Sequence, residues 1–353
     1  MEQPILPNIT GRGAAHNPPN RFERLALEPD RDLLDEEGSI APDTIYLKDT
    51  ARTIIAQNNS PDVGFTHSIN PYRGCSHGCS YCYARPTHEY LGLSAGLDFE
   101  SKIFVKEDAP DLLRKELSSK SWQPRTLSMS GVTDCYQPVE RKLQLTRRLL
   151  EVLNEFGNPV GLITKNHLIT RDIHLLSQLA EKSAAVVILS ITTLDPELSR
   201  RMEPRTSVPA RRLAAIEAMA KAKIPVGVML APIIPGLTDH EIPSILKAAA
   251  AAGAQFAGCV PVRLPLAVAP LFEDWLARHY PDRKDKVLNR IRSLRGGKLN
   301  DSNFHTRMTG EGIFAEQMSS MFHLAVRKAG LDKPFPTLST ASFRRPGGQL
   351  SLF

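Results

Sequence analysis

The 353-residue sequence is poor in cysteine and in aromatic side chains, with five Cys, two Trp, and Phe, Trp and Tyr together at 6%. Five cysteines cannot staple a chain of this length as a disulfide framework. No apolar run reaches the length of a membrane span. The longest, near residues 224–237, contains three prolines and reads as a buried strand running into a loop. The start, MEQPILPNITGRG, lacks a basic stretch followed by an apolar core, so no secretory signal is expected and the chain is assigned to the cytoplasm. An excess of one charge is also nearly missing. Lys and Arg number 44 against 38 Asp and Glu, a formal net charge of +6, which favours a polyanionic partner only weakly.

What is present is punctuation and alternation. With 27 Pro and 22 Gly the chain turns often. Residues 1–60 carry little apolar periodicity and an acidic patch (Glu28, Asp30, Asp32, Asp35, Glu36, Glu37). They are expected to form an irregular arm that packs on the domain or stays partly mobile. From there to about residue 270, short Val, Ile and Leu runs alternate with amphipathic helices. The runs are 64–70, 127–130, 160–164, 185–191, 225–231 and 254–260. A helical face after the second run takes in Val139, Leu143, Thr146, Leu150 and Leu153, and further helices start near Asp172, Pro209 and Asp239. Runs of this kind specify parallel strands buried on both faces. Six such units are too few for a closed eightfold barrel, so the fold class is α/β, a partial (β/α)6 open barrel with functional groups expected where strands end. Residues 271–340 form a basic, mainly helical C-terminal extension, with eight Lys or Arg against two Asp between Arg278 and Lys298. Residues 341–353 read as a flexible tail on Pro346, Gly347 and Gly348.

Three of the five cysteines, Cys75, Cys79 and Cys82, fall within eight positions as CxxxCxxC, just after the first strand. Three thiolates on one short loop can hold three irons of a cubane and leave the fourth open, since no fourth cysteine lies nearby. Structural zinc is the alternative, with His77 or His88 as fourth ligand, although such sites usually come as two separated ligand pairs.

With Tyr81 just before the last cysteine and six βα units following, this segment resembles the radical S-adenosylmethionine (SAM) superfamily over roughly residues 65–262. The resemblance implies a 4Fe-4S cluster at Cys75, Cys79 and Cys82 that reduces SAM to a 5′-deoxyadenosyl radical, and an electron donor such as flavodoxin or ferredoxin. Within the superfamily the chain is most similar to the spore photoproduct lyase branch. Tyr81 and Tyr83 flank the last cysteine as they do there. Lys165 of ITK and Ser190 of LSI match residues that hold the SAM carboxylate. MEPRTS resembles that branch's EPxTS turn, with Glu203, Thr206 and Ser207 in place, and Arg212 opens the next helix. MLAPIIP, 229–235, matches the segment along the adenine. A lysine suits a carboxylate, and hydroxyls or a glutamate suit ribose or ammonium groups. Taken singly, Lys165 and Arg212 also read as surface charges. At the second strand end Ser130, Thr133 and Asp134 are the polar groups available for the SAM amino group, whereas Glu140 also suits the first turn of a helix. The branch uses a cysteine near this loop as hydrogen donor. Here the nearest is Cys135, a few residues later, so the sequence departs from the branch at that point, and Cys135 reads equally as a small buried hydrophobe. Cys259 reads as core.

The last five residues, QLSLF, Gln349 to Phe353, resemble the pentapeptide by which bacterial polymerases and repair proteins dock on the DNA sliding clamp. An apolar tail folded onto its own domain is the alternative. With the basic run, which reads either as a phosphate-binding surface or as a solvated face, the tail points to DNA. Three readings follow: a radical SAM enzyme on nucleic acid, in DNA repair or base modification; a radical SAM enzyme on a peptide or small metabolite; and a non-enzymatic metal-binding nucleic-acid module.

Overall fold

The structure, a computed structural model, describes residues 9, 11–22 and 43–346. The acidic patch at 28–37, Gly347, Gly348 and the QLSLF pentapeptide lie outside the described residues.

Along the chain the strands are β1 (Ile45–Lys48), β2 (Ile55–Gln57), β3 (His67–Ile69), β4 (Tyr72–Arg73), β5 (Lys102–Val105), β6 (Leu127–Met129), β7 (Val160–Thr164), β8 (Ala185–Ser190), β9 (Val226–Ile233) and β10 (Phe256–Pro261). The helices are α1 (Leu97–Ser101), α2 (Ala109–Ser118), α3 (Glu140–Leu143), α4 (Leu145–Phe156), α5 (Ile173–Ala180), α6 (Pro196–Met202), α7 (Pro209–Lys221), α8 (Ile242–Ala251), α9 (Val268–His279), α10 (Pro281–Ser293), α11 (Thr306–Thr309) and α12 (Ile313–Ala329). A seven-stranded sheet runs in the order β10-β9-β8-β7-β6-β3-β2. Six of its strands are parallel, and β2 pairs antiparallel with β3 at one edge. This is the expected open (β/α)6 arrangement, with helices over the outer face.

The central strands form where the sequence is apolar on both faces. In β8 every residue but Ile188 is buried, and its register sets Val187 against Leu162 and Val226. At Gly227 of β9 a Cβ would lie 2.2 Å from the Phe256 ring, so glycine there lets the β10 aromatic lie flat against its neighbour. The main core joins these strands to the inner faces of α4, α5, α7, α8 and α12.

Several features differ from the sequence reading. The helix after β6 is broken: Gln144 has φ 51°, separating α3 from α4, and Leu143 points to solvent. The cause is Glu140, which is fully buried and accepts Tyr72 Oη (2.5 Å), Thr146 N (3.1 Å) and Arg171 Nη2 (2.8 Å). Burying that carboxylate under the start of α4 turns the α3 face away from the core. Helix α6 was unforeseen, although Asp195 caps it by accepting Glu197 N and Leu198 N, with Pro196 following. The strands of the small sheet β1-β5-β4, and β2, were unforeseen as well.

The C-terminal helices serve two places. α12 covers the main core through Met318, Phe322 and Val326. α9 and α10 bring Phe272, Trp275, Leu276, Val287, Leu288 and Ile291 into a second cluster with Cys79 and Tyr81. The first residues of the segment expected to be a flexible tail are tied down, with Ser342 Oγ donating to Gly157 O (3.1 Å) and Arg344 N to Phe156 O (2.8 Å). Among the described residues no helix is long and apolar enough to cross a membrane.

Candidate active site

The cysteine loop, residues 74–84, follows β4. Backbone bonds from Gly78 N to Cys75 O (3.3 Å) and Cys82 N to Cys79 O (3.2 Å) wind it tightly. Gly78 has φ 67°, and a Cβ there would fall 2.5 Å from Glu100 Oε2. Behind the loop, fully buried Arg85 donates to Cys79 O (3.1 and 2.9 Å) and pairs with Glu100. Glu100 also accepts Gly13 N (3.0 Å) and Ala14 N (2.8 Å), so part of the N-terminal arm is clamped against the loop.

Cys75 and Cys79 are buried and Cys82 is half-buried. Burial, the Glu203 carboxylate and the two neighbouring cysteines push the Cys79 thiol well up, with Lys165 opposing, and burial and Cys75 push Cys82 up to about 11. Three sulfurs that feel one another in a poorly solvated loop become thiolates readily only beside compensating positive charge, as a cluster supplies. Among the described residues no set of three or more His, Cys, Asp and Glu side chains is placed to share one metal ion. Both histidines proposed for zinc hold other partners, with the His88 Nδ1 left buried without one. His88 Nε2 meets Lys102 O (3.0 Å) with its ring against Phe99 and Phe104. His77 lies between Asn166 Nδ2 (3.2 Å) and Asp134 Oδ2 (3.4 Å). Burial opposes its charge, but Asp134 and then Cys75 carry its imidazole up to about 10.

The ends of β7 and β8 and the turn after α6 build a second polar group beside the loop. Lys165 Nζ donates to Ser190 Oγ (2.6 Å), Ala231 O (2.8 Å) and Thr192 Oγ1 (3.3 Å), and lies 3.4 Å from Glu203 Oε1. Glu203 is fully buried; it accepts the Tyr81 hydroxyl and Thr192 Oγ1 (2.7 Å) and pairs with Arg212. Arg212 in turn holds Ser190 O (3.0 Å), Ser207 O (2.7 Å) and Thr206 Oγ1 (2.6 Å). Burial alone would raise the Glu203 carboxyl, but Arg212 and Lys165 hold it far below the usual range. Tyr81, Lys165, Ser190, Glu203 and Arg212, chosen from the sequence, thus converge, and neither Lys165 nor Arg212 is a loose surface charge. Thr192, two residues past the end of β8, was missed.

The second strand end is arranged differently. Asp134 accepts Thr164 Oγ1 (2.7 Å) and Lys165 N (2.8 Å), which ties the β6 and β7 ends together. Ser130, at φ 74°, accepts Cys135 N (2.8 Å). Thr133 donates to Tyr72 O (2.9 Å). Glu140 belongs to the helix start described above, not to the strand-end group. Cys135 is fully buried in the main core among Met129, Tyr136 and Leu150. Burial raises its thiol well above the usual range, with the Ser130 hydroxyl at the β6 end opposing. Cys259 is half-buried against the same core. Tyr83 is 49% exposed, donates to Gly131 O (2.8 Å), and lies under the Arg263 guanidinium (5.5 Å).

Comparison with known proteins agrees with this geometry. Residues 69–249 match the family described as the radical SAM superfamily. An uncharacterized protein of Mycobacterium tuberculosis is 37% identical over 238 residues, 67% of this chain and 69% of that one. An uncharacterized protein of Methanocaldococcus jannaschii is 31% identical over 179 residues, 50% of this chain and 64% of that one. The fold is similar to a cysteine-to-serine mutant of spore photoproduct lyase, with TM-score 0.57 and 18% identity over 80% of this chain and 79% of that one. It is similar also to spore photoproduct lyase complexed with dinucleoside spore photoproduct, with TM-score 0.56 and 17% identity over 80% and 79%.

Proposed function

Since the chain belongs to the radical SAM superfamily, we infer that it is a radical SAM enzyme whose substrate is nucleic acid. Its cofactors are a 4Fe-4S cluster and S-adenosylmethionine. When bound, they supply a 5′-deoxyadenosyl radical, produced by one-electron reduction of SAM, for hydrogen abstraction from substrate. Cys75, Cys79 and Cys82 hold the cluster, and the Arg85–Glu100 pair fixes their loop. Lys165 and Ser190 receive the SAM carboxylate, and Thr192 and Tyr81 present hydroxyls beside it. Glu203, kept ionised by Arg212, faces ammonium or ribose hydroxyl groups. Asp134 and Ser130 act as positioning residues for the strand ends that carry this group.

The observation that carries the nucleic-acid reading is the outer face of α10. Arg278 pairs with Asp274 and Lys284 with Glu273, but among the described residues Arg283, Lys286, Arg290 and Arg292 have no carboxylate partner. Arg283, Lys286 and Arg290 line a cavity of ≈ 380 Å³ with Asp239 and His240. Such a face suits a phosphate backbone. The fold shared with an enzyme solved on a dinucleoside lesion adds support by analogy. Recruitment to a sliding clamp through Gln349–Phe353, and reduction by a flavodoxin or ferredoxin, complete the proposal.

The test uses reduced, cluster-loaded protein with SAM and deuterated DNA or RNA, following label into 5′-deoxyadenosine. Label from nucleic acid is expected. Label only from a peptide or metabolite overturns the substrate class, and a colourless zinc protein that leaves SAM intact overturns the enzyme. Clamp pull-down with and without the last five residues decides recruitment, with equal capture refuting it.

A further inference from the structure

Beyond β10 the chain enters a group of arginines on the side of the barrel mouth away from Lys165 and Arg212. Two of the three are well supplied with oxygen acceptors, although the Nε of Arg295, like that of Arg263, is buried without a partner. Arg295 is buried and donates to Thr306 O (2.8 Å), Arg307 O (3.0 Å) and Val262 O (3.1 Å). Arg307 makes a two-pronged pair with Asp62 (2.6 and 2.5 Å). Arg263, two residues past β10, is not. It is half-buried and its Nε is buried without a hydrogen-bond partner. Its one hydrogen bond among the described residues runs from Nη1 to the Met308 thioether (3.1 Å). A thioether is a weak acceptor, and a guanidinium withdrawn from water without an anion is costly.

The position of Arg263 says what its anion is. Its guanidinium covers Tyr83, the residue after Cys82, and the Tyr83 hydroxyl reaches Gly131 O beyond β6. Arg263 and Tyr83 together therefore span from the end of β10 to the end of β6, directly beside the cysteine loop, so a molecule approaching the radical source from this side passes them. Nearby, Arg307 lies 4.7 Å over the ring of Phe304, which is 52% exposed. Exposed aromatic faces interleaved with cations match an unstacked nucleic-acid strand: rings take bases and guanidiniums take phosphates. Burial and then the neighbouring Arg307 lower the Arg263 pKa, with Tyr83 and Asp62 opposing, which fits a cation crowded by like charge.

We propose that Arg263 is the seat of a substrate phosphodiester at the barrel mouth, and that Tyr83 and Phe304 stack the flanking bases. This rests on the nucleic-acid reading above and names the residues that deliver the strand to the radical site. Arg263 holds the backbone in register, and the nucleotide beside Tyr83 is the one presented for hydrogen abstraction.

The test is fluorescence anisotropy of full-length, cluster-loaded protein on a labelled single-stranded oligonucleotide over a salt series. Arg263→Gln is expected to weaken binding about tenfold and to lower the slope of log K against log salt by about 0.7, one phosphate's share on a single strand. Arg263→Lys should keep the slope. Phe304→Ala should weaken binding at unchanged slope, because stacking releases no counterions. Lys221→Gln, exposed at the end of α7, should change neither. An oligonucleotide with one uncharged methylphosphonate at the contacted linkage should bind wild type and Arg263→Gln alike. Cluster absorbance and thermal unfolding confirm that each variant is folded. If wild type binds the strand and Arg263→Gln matches it in affinity and slope, the assignment of Arg263 is refuted while the nucleic-acid reading stands. If wild type binds no strand but binds an acidic peptide, both fall.

Discussion

Gly13 and the cysteine loop are in contact closely enough to predict the effect of one methyl group. A Cβ at Gly13 would lie 1.8 Å from Gly78 O, 2.9 Å from Gly78 C and 2.9 Å from Ser80 N. All three are backbone atoms, so no flexible side chain can yield. The arm or the loop must move by more than an ångström, and the bonds from Gly13 N and Ala14 N to Glu100 lengthen with it. Overpacking of this kind costs about 1–3 kcal/mol, and weakening hydrogen bonds to a buried carboxylate adds about 1–2 kcal/mol. Against this, Gly→Ala gains about 0.4–1 kcal/mol by restricting the unfolded chain. Gly13→Ala should therefore be less stable by about 2–4 kcal/mol, a Tm lower by about 3–5 °C. It should also carry less iron per chain after anaerobic reconstitution, because Glu100 is the partner of Arg85 behind Cys79. Gly11→Ala is the control, since nothing lies within 4 Å of its Cβ and only its φ of 75° is at issue; about 1–2 kcal/mol and normal iron are expected. A Gly13→Ala protein as stable as wild type and fully loaded with iron would refute the clamp.

Other outcomes follow from single side chains. Glu203→Gln leaves Arg212 and Lys165 without their carboxylate; thermal unfolding should show a loss of about 3–5 kcal/mol, and equilibrium dialysis should show weaker SAM binding, with unchanged binding refuting its place in the site. Cys135→Ala should lower stability by about 1 kcal/mol yet leave product formation intact; SAM cleavage without product in that variant would restore Cys135 as hydrogen donor. His88, buried against Phe99, has its imidazole lowered to about 4 chiefly by burial. The unfolded chain therefore binds a proton that the folded one does not as pH falls from about 6.5 to about 4, and wild type should lose about 3 kcal/mol across that window. Denaturant midpoints of wild type and His88→Leu should diverge there, and parallel curves would contradict the assignment.

How much could be read from the chain alone depended on where each contact is made. Strands β7 to β10 were located to within two residues because none of their residues is exposed, which leaves a largely apolar run. β1, β2, β4 and β5 are two to four residues long, and distant pairing defines them, as Ile45 with Lys102, so no local period marks them. The break at Gln144 was hidden for a similar reason: it follows from Glu140 meeting Tyr72, 68 residues away. Tyr81, Lys165, Ser190, Glu203 and Arg212 were legible as motif residues. The parts played by Thr192 and the Ala231 carbonyl were not, since a hydroxyl and a backbone oxygen leave no spacing signature. Cys135 was legible as a residue near the second strand end, while its complete burial was not, since that depends on packing against Met129 and Leu150.

Cys79 shares one apolar cluster with Phe272, Trp275, Leu276 and Ile291. During synthesis the iron-binding loop emerges nearly two hundred residues before α9 and α10 can close over it. Until then its sulfurs stay open to an iron donor and to oxygen alike. Maturation thus has a natural order, metal first and lid second, and a ribosome-bound chain halted short of residue 268 should take up iron faster, and lose it faster, than the finished protein.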